Sequence, residues 1–349
     1  MTQPLPLLVA GDPEQRSGGY GYDRRMAAEL QALGQPVALQ GLAGSFPDAD
    51  EQARASLDAA LAALPADSPA IIDGLALGGS PGVVARHAER LRLIALIHHP
   101  LADETGLTRE TAQRLDRGEG QALGAMRAVV ATSAFTARRL AEKGVPGANA
   151  VIPGTEPAPL ASPREAPPWR LLCVASLTPR KDHQTLLVAL ARLGRYRWRA
   201  VFAGPLDADP ECARCVRAAI HDYQLSDRVE LTGALGDEAL AARYADTDLF
   251  VLPTRYEGYG MALTEALARG VPVIAGDGGA VRETVPAAGA RLVPPGDGAA
   301  LAECLERFMT DGQERAALRA GAQSAREALP RWPDQARRLM AIIQAVHDG

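Results

Sequence analysis

The chain has 349 residues, more than a single core usually accommodates, so two domains are expected, each large enough to bury its own core. It carries 42 acidic against 37 basic residues, a formal charge of -5, and no dense run of lysine or arginine, which excludes a nucleic-acid-binding stripe. No apolar stretch approaches 18 residues, and the opening MTQPLPLLVAGDPEQ lacks a basic start leading into a long apolar run, so a cytoplasmic protein is expected.

Short apolar runs then alternate with longer amphipathic stretches, the pattern of parallel sheets covered by helices. In the first half the strand candidates are PLLVA, QPVAL, AIIDG, RLIALIH and AVVATS, with helical segments such as YDRRMAAELQAL and ADEQARASLDAALAAL between them. A proline-rich stretch, IPGTEPAPLASPREAPPW, can hold neither a helix nor a central strand and reads as a linker. The alternation restarts with WRLLCVAS, DHQTLLVALARL, WRAVFAG, CARCVRAAIHDYQL, VELTG, DEALAARYA and DLFVLP, and continues to VPVIAG and ARLVP. The C-terminal PRWPDQARRLMAIIQAVHDG reads as a late amphipathic helix that packs back on the first domain.

The expected organisation is therefore α/β: two doubly wound Rossmann-like domains in series with a cleft between them. Expected boundaries are 1–155 for the first domain, 156–169 for the linker, 170–329 for the second domain and 330–349 for the returning helix.

The segment RYEGYGMALTEALARG, residues 255–270, carries the most chemistry. The strand DLFVLP ends at Pro253, a glycine-containing loop follows, and MALTEALA forms a helix closed by Gly270. Glycines at a strand's carboxyl end and a helix N-terminus offer free N–H groups to an anion such as phosphate. Glu257 and Glu265 beside that turn are pure acceptors when ionised and suit sugar hydroxyls. Together they point to a ligand bearing both phosphate and sugar. Only two of the basic residues are lysines, Lys143 and Lys181, so a lysine in this chain marks a place where a compact ammonium is wanted.

With this spacing, LFVLPTRYEGYGMALTEALARGVPVIA resembles the signature of glycosyltransferase family 4, retaining enzymes of the GT-B fold. The resemblance extends through VASLTPRKDHQTLLVAL, AVFAGP, VELTGAL, GGAVRETV and RLVPPGD. In the first half it takes in SGGYGYDRRMAAEL, IALIHH and VVATSAFTARRL. It implies transfer of a sugar from a nucleotide-diphosphate donor to an acceptor hydroxyl with retention, without a metal or other cofactor. A nucleotide-sugar epimerase of the same fold, or a catalytically silent nucleotide-sugar-binding protein, are the alternatives.

By the same resemblance Glu257 would hold donor-sugar hydroxyls and Glu265 the ribose. The N–H groups of Gly258, Tyr259, Gly260 and Met261 would face sugar and diphosphate. Lys181 would clamp the diphosphate, and His98, with His99 as alternate, would lie near the donor sugar. Gly18 and Gly19 would form a loop near the donor phosphate. Where the family has Gly-Arg, this chain has Ala175 and Ser176; the lost cation is expected to be replaced by Arg180, with Ser176 left at the donor site. The acceptor is unidentified, with a soluble one favoured over a lipid because AFTARRLAEKG is only mildly basic; peripheral association with the inner membrane face remains the alternative.

Other signals carry little. SGGYGYDRR is separated from its strand by GDPEQR and lacks the G-x-G-x-x-G spacing, so no NAD site is expected. Asp-x-Asp occurs at 48–50, 207–209 and 246–248, which shows how cheap that pattern is, and no metal is expected. Four scattered cysteines make no disulfide framework, and Cys212-x-x-Cys215 has no second pair to complete a zinc site.

Overall fold

The computed structural model describes residues 3–348, which divide into two compact units: residues 3–154 together with 330–348, and residues 155–329.

The first unit opens β1 (Leu5–Ala10), α1 (Gly18–Ala32), β2 (Val37–Leu42), α2 (Glu51–Ala62), β3 (Pro69–Asp73), α3 (Gly74–Gly78) and α4 (Pro81–Ala88). It continues through β4 (Arg92–Ile97), α5 (Arg109–Leu123), β5 (Ala128–Ala131), α6 (Ala134–Glu142) and β6 (Asn149–Ala150). All pairings are parallel, in the order β2-β1-β3-β4-β5-β6. β4 reads RLIALI without alternation because both its faces are covered; Leu93 through Ile97 are buried.

The second unit runs β7 (Trp169–Val174), α7 (His183–Arg192), β8 (Trp198–Ala203), α8 (Pro210–Asp222), β9 (Val229–Gly233), α9 (Asp237–Ala245) and β10 (Leu249–Leu252). It is completed by α10 (Met261–Ala268), β11 (Val273–Gly276), α11 (Val281–Thr284), β12 (Ala290–Val293), α12 (Gly298–Thr310) and α13 (Gly312–Ala325). Its six strands are parallel in the order β12-β11-β10-β7-β8-β9. Trp169, Trp198, Tyr244, Phe202, Phe250 and Phe308 are large buried side chains of its core.

The proline-rich segment is tied to the second unit. Ala161 and Ser162 donate backbone hydrogen bonds to Arg269 and Ala245, and the Arg164 N–H bonds the buried Asp248 carboxylate at 2.6 Å.

The last helix, α14 (Trp332–Asp348), belongs to the first unit, as the amphipathic C-terminal segment leads one to expect. Trp332 packs at 5.8 Å from the Tyr22 ring of α1, and Gln335 accepts the Ile152 N–H at 3.2 Å. Pro333 lies in the first turn, where its missing N–H costs nothing, so the helix begins at Trp332 rather than after a proline break.

In each sheet the strand order reverses beside its first strand: between β1 and β3, and between β7 and β10. At such a switch point the carboxyl-end loops diverge and leave room for a ligand.

Candidate functional site

In the second unit, the loops after β7, β10 and β11 are laced together at the switch point. β7 runs into a single 3-10 turn, Pro179–Lys181, and Asp182 takes a left-handed conformation (φ 52°) before α7 begins. The carbonyl of Arg180 receives the Arg255 N–H at 2.8 Å and the Thr254 hydroxyl at 3.2 Å, fixing this turn to the loop after β10. Glu257 is fixed from the other side: its N–H donates to Gly278 and its carbonyl receives the Ala280 N–H. Glycine is required at 279, where φ is +67° and a Cβ would stand 2.2 Å from the Glu257 carbonyl oxygen.

These restraints bring Lys181, Arg180 and Glu257 together. Lys181 Nζ donates to Glu257 Oε1 at 2.6 Å, and Arg180 Nη1 lies 3.9 Å from Glu257 Oε2 while donating to the Tyr256 carbonyl at 2.9 Å. Burial acts most strongly on both partners of the pair. It would raise the Glu257 pKa, but the Lys181 and Arg180 charges outweigh it and hold the carboxyl below its ordinary value. At Lys181 burial wins, and with repulsion from Arg180 it depresses the ammonium although Glu257 favours the charged form.

Next comes the glycine turn. Gly260, at φ +98°, caps α10, and the N–H groups of Gly258, Tyr259 and Gly260 have no protein acceptor among the described residues. With the first N–H of α10 they offer unpaired donors at that helix's N-terminus, in the loop whose Glu257 meets Lys181 and Arg180. Glu265 lies one helical turn inside α10 and accepts the Tyr244 hydroxyl at 3.0 Å. Burial raises its pKa, with the Tyr244 hydrogen bond and Arg269 acting in the opposite sense. Ser176 follows β7, half-buried, on the same edge of the sheet.

The first unit carries its own polar cluster at its switch point. His98 follows β4, and its Nε2 lies 3.1 Å from Asp23 Oδ1 on α1 and 3.5 Å from Asp73 Oδ2 at the end of β3. Gly18 and Gly19 are the first residues of α1 and not a loop, which corrects the sequence expectation: with Ser17 as N-cap the helix starts four residues before YDRR. Gly19 faces His98, where an added Cβ would meet Cδ2 at 3.3 Å. His99 turns to Glu104 at 3.2 Å, away from this cluster.

Asp23, Asp73 and Tyr244 escaped the sequence reading. Asp73 was legible in principle, since an aspartate ending the apolar run AII marks a strand end with a polar task; it also caps α3 by accepting the Leu75 N–H at 2.9 Å. Asp23 is one turn along α1 from Gly19, a spacing that gains meaning only once the helix start is known.

Asp23, Asp73 and His98 are also the one group among the described residues whose ligand atoms lie close enough for a cation. A cavity of about 670 Å³ opens at the amino ends of β7, β8 and β9 in the second unit, far along the strands from Lys181. Of its five arginines, Arg170 is bound by Asp246 and Asp248, Arg243 by Glu230, and Arg228 donates to the carbonyls of Gly194 and Tyr196.

Residues 160–325, within the second unit and just under half of the chain, match the family model of glycosyl transferases group 1. The chain is 31% identical over 186 residues to the GDP-mannose-dependent alpha-(1-6)-phosphatidylinositol monomannoside mannosyltransferase of Mycobacterium tuberculosis, covering 50% of this chain and 47% of that protein. It is 32% identical over 180 residues to the MMP alpha-(1->4)-mannosyltransferase of Mycolicibacterium hassiacum, covering 50% of this chain and 43% of that one. The chain thus spans about half the length of the curated relatives it matches. Among solved structures it resembles sucrose-phosphate synthase from Thermosynechococcus elongatus, with TM-score 0.80, 21% identity and coverage of 98% and 99% of the two chains. Anabaena HepE in complex with UDP and glucose gives TM-score 0.74 and 16% identity, covering 98% and 100%. The fold is GT-B: two Rossmann-like units, each with a six-stranded parallel sheet.

Proposed function

We propose that this chain is a retaining, metal-independent glycosyltransferase that moves a sugar from a nucleotide-diphosphate donor to an acceptor hydroxyl. The observation that carries the proposal is the buried Lys181–Glu257 pair beside the uncommitted N–H groups of Gly258, Tyr259 and Gly260. The match to glycosyl transferases group 1 over the same residues supports it.

A diphosphate is the ligand that best uses this arrangement. Lys181 and Arg180 supply two positive charges, and the glycine turn with the start of α10 supplies convergent N–H donors. When the bond from the sugar to the diphosphate breaks, negative charge collects on the leaving oxygen, where these fixed donors stabilise it most. Arg180 thereby takes the place of the arginine that the family pattern has at Ser176. Glu257 would accept hydroxyls of the sugar, and Glu265, kept ionised by the Tyr244 hydroxyl, those of the ribose. In front-face transfer the departing phosphate takes the acceptor proton while the acceptor oxygen bonds to the carbon it leaves.

His98 is proposed to serve the transfer step, with Gly19 leaving it room. GDP-mannose and UDP-glucose, named for a relative and for the bound state of a structural neighbour respectively, are the donors to test first. Among the described residues no helix is long and apolar enough to cross a membrane, and both lipid and soluble acceptors fit the proposal.

The test is thermal unfolding with saturating UDP, GDP and ADP, followed by product analysis with and without acceptors. A ligand at a hundred times its dissociation constant adds about 2.7 kcal/mol, a shift of a few degrees. A shift by one nucleoside diphosphate, lost in Glu265→Ala, together with acceptor-dependent product, supports transfer. Conversion of the nucleotide sugar without acceptor would identify an epimerase, and binding without turnover a silent binding protein.

A further inference from the structure

The three groups at the switch point of the first unit are arranged around a single nitrogen. Asp23 Oδ1 and Asp73 Oδ2 both approach His98 Nε2, at 3.1 and 3.5 Å. The two carboxylates are almost fully buried, whereas the imidazole keeps 20% of its surface exposed. Asp73 already receives the Leu75 N–H, but the contact to His98 is the only one found for the Asp23 side chain among the described residues. His98 Nδ1 has no protein partner among them, and the ring is held in place by the edge of Tyr22 at 5.5 Å and by Gly19. Tyr22 is itself anchored by its hydroxyl to the Val151 carbonyl at 2.9 Å.

A buried carboxylate with one neighbour is costly unless that neighbour carries a proton toward it. Two carboxylates at one ring nitrogen set the inward proton on Nε2, and their negative charge favours a second proton on Nδ1 at the partly exposed edge.

We propose that Asp23 is a positioning residue, which with Asp73 holds His98 as an imidazolium whose Nδ1–H is presented as a donor to substrate. This rests on the glycosyltransferase reading for the identity of the substrate, and the acceptor of that hydrogen bond would be a sugar hydroxyl or a phosphate oxygen. His98 does not give up its proton in this role; it donates a charge-assisted hydrogen bond.

The electrostatics of the pocket agree. Burial opposes the imidazolium, but the charge and hydrogen bond of Asp23, and the charge of Asp73, outweigh it and raise the His98 pKa. Burial pushes Asp73 up to about 7, with His98 pulling down and Asp23 pushing up. The groups that face His98 are Asp23 and Tyr22 from α1 and Asp73 from β3, and Tyr20 of α1 lies near both carboxylates. After β5, Thr132 bonds only the His98 carbonyl, and α14 brings only Trp332, through Tyr22.

The test follows the imidazole Cε1–H resonances of the full-length protein by NMR from pH 5 to 9, with His98 assigned through His98→Gln. Asp23→Asn is expected to move the His98 titration down by about one pH unit, as loss of a neighbouring charge does. In turnover, Asp23→Asn is expected to lower kcat about tenfold with donor KM little changed, and to move the alkaline fall of kcat to lower pH by the same interval. An unmoved His98 titration in Asp23→Asn overturns the proposal, as does a fall in kcat whose pH profile stays in place. Zn²⁺ or Mn²⁺ that shifts or broadens the His98 resonance and raises Tm would make the array a metal site and also overturn it. A wild type that binds no nucleoside diphosphate sinks the transferase reading instead, while the titration still decides whether Asp23 sets the charge of His98.

Discussion

Lys181 and Glu257, 76 residues apart in sequence, meet at 2.6 Å where β7 and β10 part company. Neither charge is easily solvated there, with side-chain exposures of 17% and 6%, so each is the other's main compensation. Lys181→Met leaves a buried carboxylate and is expected to cost about 3 kcal/mol of stability. Lys181→Met combined with Glu257→Leu removes both charges and should be the more stable protein. Denaturant unfolding of the two single variants and the double variant measures this coupling; additive losses would mean that the pair is not a unit.

The same pair predicts a proton movement. Burial depresses Lys181, and an incoming diphosphate adds negative charge beside it, so binding raises the lysine pKa. Calorimetry of nucleoside diphosphate binding at alkaline pH, in buffers of different ionisation enthalpy, should register proton uptake, and Lys181→Met should abolish it.

Tyr244→Phe removes the hydroxyl that Glu265 accepts at 3.0 Å. With that support gone, burial raises the carboxyl further, and it becomes a poorer acceptor for ribose. A several-fold weaker dissociation constant for the nucleoside diphosphate is expected, in keeping with loss of one hydrogen bond, with kcat nearly unchanged. Isothermal titration and initial rates separate the two.

Asp73 and Glu119 should make the folded chain less stable as pH rises from 5 to 8. Asp73 and Glu119 are both held above their ordinary values by burial, at about 7 and about 8, so the folded state binds protons more tightly than the unfolded chain. Their contribution is present below the unfolded carboxyl pKa, near 4, and is lost as pH climbs through the folded values. His98, also raised, adds to the same trend above its unfolded value. Glu257 acts oppositely: its pKa is lowered, so its contribution is present above the unfolded value and lost on acidification. Asp73→Asn and Glu119→Gln should each flatten the decline of the denaturation midpoint between pH 5 and 8.

Gly279→Ala places a methyl 2.2 Å from the Glu257 carbonyl oxygen at a φ that only glycine takes without strain. The expected cost is about 1–3 kcal/mol or more, together with loss of the nucleoside diphosphate thermal shift. A variant that binds normally would show that the backbone bridge between 257 and 279 does not position Glu257.

Much of the fold was legible because buried parallel strands announce themselves as uninterrupted apolar runs: LFVL and LIALI needed no further information. α3 was hidden because it springs from Asp73 with no intervening loop and reads GLALG. α5 was hidden because RETAQRLDRGEGQAL is nearly all polar and buries a carboxylate, Glu119, that bonds the Leu101 N–H. β6 is two residues long at a sheet edge. In the second unit the chemistry lies in one contiguous motif, with Lys181 singled out by the scarcity of lysine. In the first unit Asp23, Asp73 and His98 come from three separate elements, and no spacing along the chain connects them.

The assignment of α14 to the first unit has a consequence for biosynthesis. On the ribosome, residues 155–329 emerge as a continuous stretch and can close their sheet as soon as α13 is out, whereas the unit begun first must wait for the helix that follows them. Until Trp332 and Gln335 arrive, the Tyr22 face of α1 and the Ile152 N–H lack their partners. The nascent chain therefore carries an apolar surface, through the synthesis of residues 155–329, that the seventeen-residue α14 then covers.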